Sequence, residues 1–169
     1  MKRKAILFLL FGLFGSFVAS AQEDMFKALF MYNFTKYIEW PPEYKSGDFV
    51  ITVLGSSGVI TELEKLAGKK SVDNQPIVVI KASDASEISK SHIVYVSPSK
   101  SSQFEVLKSS LATKPTLLVT DKQGLAEIGA CINYVQVDGK QKFEINPDAV
   151  HTAGLKLNSA LTALGIVVK

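Results

Sequence analysis

Cysteine, histidine and tryptophan are almost missing from this chain of 169 residues, which has one cysteine, two histidines and one tryptophan. A lone Cys131 cannot close an internal disulfide, so cysteine usage says nothing about a reducing or oxidising compartment. His92 and His151 stand far apart in sequence and no cysteine pair lies near either. Close-spaced zinc ligands are therefore absent, and neither a metal nor another cofactor is expected. Excess charge is missing too. The formal +3 rests on Lys2, Arg3 and Lys4, which leaves the rest of the chain with as many basic as acidic residues. No block of like charge is present to hold nucleic acid or an anionic membrane surface.

Long apolar runs are limited to the start. A basic Met1-Lys2-Arg3-Lys4, an apolar Ala5 to Val18 and the small-x-small Ala19-Ser20-Ala21 have the three parts of a secretory signal peptide. The run is shorter than the roughly 20 residues that span a bilayer, so cleavage after Ala21 and export as a soluble protein are expected, with no membrane insertion afterwards. Residues 22–169 then suit one domain, long enough to bury its own core.

Within that domain, Phe26, Leu29, Phe30, Phe34, Tyr37 and Ile38 recur at three- and four-residue steps, which predicts an amphipathic helix from Asp24 to Glu39. Trp40-Pro41-Pro42 should stop it, because a residue before proline is pushed out of helical dihedrals. Of this segment, Phe26, Phe30, Phe34 and Ile38 are expected in the core. Asn33, inside the stripe, should tie the helix end to a neighbouring strand. Strands follow in "DFVITVLG", "QPIVVIKAS", "SHIVYVSPS" and "TLLVTD", separated by the helical "SSGVITELEKLAG" and "SSQFEVLKSSLA". Apolar strands alternating with helices predict an α/β fold with a mainly parallel sheet flanked by helices. "ACINYVQV" and "KQKFEIN", joined by Asp138-Gly139, add a C-terminal antiparallel hairpin. Asn146 and Pro147 should open a closing helix that carries Val150, Leu157, Leu161 and Leu164 along one side.

Catalytic parts are thin. Cys131 lies in an apolar strand where a thiolate has no support. "GSSG" (Gly55 to Gly58) lacks the lysine of a phosphate-binding loop, and no G-x-S-x-G elbow occurs. A binding protein is the stronger expectation. Lys36, Glu39 and Trp40, off the helix stripe or at its end, are candidate partner-binding residues, since an indole beside two prolines forms a rigid amphipathic edge. Glu144 and Asn146 of "FEIN", at the hairpin's end, are the second candidate surface. The rival expectation is a small-molecule sensor using the crevice at the strand ends near Gly55, Ser97 and Asp121.

"YNFTKYIEWP" resembles the Y-N-F-x-K-x-x-E-W-P signature of the YfiR-like family of periplasmic regulatory proteins. "FVITVLG", "SHIVYVSPS" and "GACINYV…KFEINPDAVHTAGLKLNSALTAL" resemble further blocks of that family, so the likeness spans nearly all of residues 22–169. The resemblance implies a domain with no catalytic role that restrains an inner-membrane signalling protein, a diguanylate cyclase or a histidine kinase, and so acts in cyclic-di-GMP signalling. It also implies homodimers. Ser91 stands where the family has a cysteine before His92, which argues against a disulfide switch in this chain.

Overall fold

The computed structural model describes residues 20–169; the predicted signal peptide falls outside the described residues except for Ser20 and Ala21. Helix α1 covers residues 20–34 and is followed by the short strand β1 (Ile38–Glu39). The elements β2 (Phe49–Leu54), α2 (Val59–Ala67), β3 (Ser71–Val72), β4 (Gln75–Ala82), β5 (Ile93–Val96), α3 (Phe104–Leu111) and β6 (Leu117–Thr120) come next. The hairpin β7 (Ile132–Val137) and β8 (Lys140–Ile145) then leads to α4 (Pro147–Thr152), β9 (Lys156–Leu157), α5 (Ser159–Thr162) and β10 (Ile166–Val167).

Eight strands form one sheet in the order β10-β8-β7-β6-β5-β2-β4-β3. Its centre is parallel from β4 through β7, and β7–β8 and β3–β4 are the antiparallel pairs. This is the mixed α/β fold with a mainly parallel sheet and a C-terminal hairpin that the apolar strand pattern predicts. Every residue of β5 and β6 is buried, as strands covered on both faces require. The connection β2–α2–β4 runs to one side of β2 and β5–α3–β6 to the other, so crossovers of one hand put α2 and α3 on opposite faces. Asp138 and Gly139 take φ of 53° and 70°, the left-handed pair of a type I′ hairpin turn.

Three expectations need correction. Helix α1 ends at residue 34, not at Glu39: Thr35, Lys36 and Tyr37 donate three residues back in a closing turn, and Ile38 and Glu39 pair antiparallel with Leu157 and Lys156. Strand pairing to the far end of the chain has overridden the helical period. Phe26 is 39 % exposed, not core, because the inner stripe of α1 is Lys27, Ala28, Met31 and Phe34. The closing helix stops at Thr152, since Gly154 adopts φ of +72°; Leu157 then lies in β9, Leu161 in α5, and Leu164 is exposed. Among the described residues, no helix is long and apolar enough to cross a membrane.

Candidate functional site

The turn after α1, the β1–β9 ladder and the β3–β4 turn enclose a cleft of about 520 Å³ that Lys36, Glu39 and Trp40 all line. Trp40 forms its inner wall. The indole is buried, meets Phe49 edge-on at 5.1 Å between centroids, and donates from Nε1 to the carbonyl of His92 at 3.2 Å. His92 in turn is fixed by its backbone neighbours. Nδ1 accepts from Val50 N–H at 3.0 Å, so Nε2 carries the proton and donates to Tyr44 O at 2.8 Å. Burial pushes the His92 pKa down, which keeps the ring neutral.

The outer wall is charged. Lys36 is exposed, donates to Asn33 Oδ1 at 2.9 Å and lies over the Tyr32 ring, 5.3 Å from its centroid. Asn33 thus closes the helix end on itself and does not reach a strand. Glu39 accepts from Lys45 at 3.0 Å and has Lys156 at 3.8 Å; the Lys45 hydrogen bond and the Lys156 charge hold its carboxyl below the ordinary range. Lysines outnumber acids around the cleft, where Lys36, Lys45 and Lys156 face Glu39 and Asp73.

Glu144 and Asn146 do not join this group. Glu144 accepts from Asn133 Nδ2 at 2.9 Å on a separate cleft. Asn146 is buried, capping α4 through Ala149 N–H at 2.9 Å and donating to Ala126 O at 2.8 Å. Both its amide atoms are engaged inside the fold.

The pattern of apolar residues concealed a charged cluster at the strand ends. Lys27, buried on the inner stripe of α1, pairs with Glu23 one turn earlier and with Asp121 just beyond β6. Tyr95 donates to the same Asp121 carboxylate at 2.9 Å, and Tyr134 donates to the Lys27 carbonyl at 2.7 Å. Burial opposes the charge on Lys27, but hydrogen bonds to Asp121 and Glu23 hold its pKa above the ordinary value. Burial lifts the Asp24 carboxyl. The signal available in the sequence was a lysine within an apolar helix stripe and an aspartate ending a buried strand.

This cluster borders the crevice that a small-molecule sensor would use, and Glu23, Asp121 and Tyr134 also line a cleft of about 460 Å³ with Glu144. A Cβ at Gly58 would sit 2.1 Å from Asp24 Oδ2, and one at Gly55 would sit 2.3 Å from Ser97 Oγ. Close packing at these two glycines narrows the switch point between β2 and β5, where open α/β sheets receive ligands.

Cys131 is buried, and burial pushes its thiol up to about 11. Ser91 Oγ hydrogen-bonds Thr52 Oγ1 at 2.7 Å, a buried polar pair. Reductant should leave stability and association state unchanged, and dithionitrobenzoate should label Cys131 only after unfolding. Labelling of the native protein within minutes, or a dimer lost on adding dithiothreitol, would contradict the shielded thiol. Among the described residues, no group of three His, Cys, Asp or Glu side chains is placed to hold a metal ion.

The sequence pattern of the YfiR/HmsC-like family matches residues 24–165, from the Asp24 that abuts Gly58 to the Gly165 that packs against Phe143. The chain belongs to this family. The match takes in the Trp40 wall, the buried Lys27 cluster apart from Glu23, and the whole eight-stranded sheet apart from the last edge strand. Among curated proteins, none matches the chain.

Proposed function

We propose that this family member is a non-enzymatic periplasmic regulator that binds an inner-membrane signalling protein, a diguanylate cyclase or a sensor kinase. The domain would run from Gln22 to Lys169, released by cleavage after Ala21. Cleavage there puts Glu23 and Asp24 in the first turn of α1, where negative charge complements the helix dipole. Family membership supports the regulatory role. The observation that carries the choice of surface is the contrast at the cleft: a rigid wall of Trp40, Phe49 and His92 supports an exposed rim in which Lys36 and Glu39 make only surface contacts. Such rim charges contribute little to folding and are free to steer a partner.

Lys36→Glu together with Glu39→Lys should leave unfolding within roughly 0.5 kcal/mol of wild type, as surface changes usually do. In cells the variant should behave like a deletion, releasing the signalling protein and changing cyclic-di-GMP or kinase output. A photo-crosslinker at position 36 should trap the same membrane protein in wild-type cells. Wild-type output from the doubly reversed variant would remove this rim from the account.

A further inference from the structure

On another part of the molecule, an open groove of about 540 Å³ runs between α3 and α4. That volume lies in the range of roughly 300–1,000 Å³ occupied by small-molecule sites. Its floor is apolar, built from Leu111 of α3, Leu118 of β6, Cys131, and Ala149 and Ala153 of and after α4. Three of the polar groups that line it are already occupied. The Thr116 hydroxyl donates to Ser91 O at 2.8 Å, the Ser109 hydroxyl to Glu105 O at 2.9 Å, and the Asn146 amide to Ala126 O at 2.8 Å. A ligand seated on this floor would find contact area and few free hydrogen-bonding groups, which selects a hydrocarbon body over a polar one.

The mouth carries one lysine and two carboxylates. Lys108 lies along the rim against Gly129, whose φ of +114° and absent side chain make room: a Cβ there would sit 3.1 Å from Lys108 Cδ. Its ammonium is engaged, donating to Ile128 O at 2.9 Å and pairing with Glu105 at 2.9 Å. Glu127 and Asp148, which also line the groove, form no ion pair among the described residues. With Lys108 paired to Glu105, the two carboxylates leave the rim net negative above an apolar floor, which is complementary to an apolar tail bearing a cationic head.

We infer that the α3–α4 groove binds a small cationic amphiphile, its hydrocarbon tail on Leu111, Leu118 and Ala149 and its ammonium group beside Glu127 and Asp148. The inference is independent of the partner-binding rim, which lies in a different cleft. The test is methyl NMR on the mature chain with octyltrimethylammonium as probe, and tetramethylammonium and octyl sulfate as controls, all below micelle formation. Octyltrimethylammonium should shift the methyl signals of Leu111, Leu118 and Ala149 saturably, while each control binds at least roughly tenfold more weakly. Glu127→Gln with Asp148→Asn should weaken octyltrimethylammonium by a similar factor and leave the fold intact, since both side chains stand at the rim. Ala149→Phe, which fills the floor, should abolish the shifts. Non-saturating shifts, octyl sulfate binding as tightly as the cation, or unchanged affinity in the Gln/Asn variant would each overturn the inference. The Gln/Asn variant decides the matter even if Ala149→Phe does not fold.

Discussion

Replacing Trp40 by alanine should lower the unfolding free energy by about 3–5 kcal/mol, the range for deleting a large buried aromatic side chain. The indole is only 5 % exposed, packs edge-on against Phe49, and holds the His92 carbonyl at the point where β5 begins. Removing it opens a void beside His92, whose ring stacks on Phe49 at 4.3 Å, so the loss should spread to the start of β2 and β5. Trp40→Phe keeps most of the area and loses the N–H donor, and should cost about 1–2 kcal/mol. Urea unfolding of both variants measures the difference. An alanine variant that melts within a few degrees of wild type would show that Trp40 is an interface residue only. If it is structural, partner binding should weaken in proportion to unfolding and no further.

Removing one member of the Lys27–Asp121 pair should have an effect of similar size. Asp121→Ala leaves a buried ammonium with Glu23 alone, and Lys27→Met leaves Asp121 with only the Tyr95 hydroxyl. Each should destabilise by about 3–5 kcal/mol, because an unpaired buried charge loses its hydration without compensation. The double variant Lys27→Met, Asp121→Leu should recover much of that loss, with a coupling of about 2 kcal/mol or more. Additive single effects would mean that the two groups do not interact. The pH dependence has a definite sign. Lys27 has a folded pKa above its ordinary 10.5, so its contribution is complete below that value and is lost as pH rises through the folded one. Measured against its own neutral stability, the double variant should therefore lose less on going to alkaline pH than the wild type does.

Local chemistry made the middle of the fold readable. The apolar runs of β2, β4, β5 and β6, the Asp138-Gly139 turn and the Asn146-Pro147 helix start each state their conformation within a few residues. What escaped is set by partners distant in the chain. Ile38 and Glu39 leave the helical path because Leu157 and Lys156 wait beside them, and the two residues of β10 exist only against Glu144 and Ile145. On α1 the apolar pattern picked out the phenylalanines, yet the buried face includes Lys27, whose charge disguises its burial until Asp121 is in view. The candidate site was half legible for the same reason. Trp40 at a proline break marks an edge, but only the Phe49 and His92 rings decide that the indole faces inward, and only the geometry of α4 shows Asn146 engaged as its cap.

Helix α1 leads the described chain, yet its docking partners are far downstream: Asp121 lies 94 residues beyond Lys27 and Tyr134 lies 107 beyond it. A chain threaded outward from its N-terminus would deliver α1 first, with Met25, Phe26 and Leu29 exposed even in the finished fold and Met31 and Phe34 still uncovered. Closing such long loops is slow compared with forming a helix. For the interval in which β7 and β8 have yet to emerge, the leading segment is an apolar helix with no sheet to rest on. The order of arrival would therefore make the earliest part of the described chain the last to be sheltered, and the part most open to aggregation while the chain is incomplete.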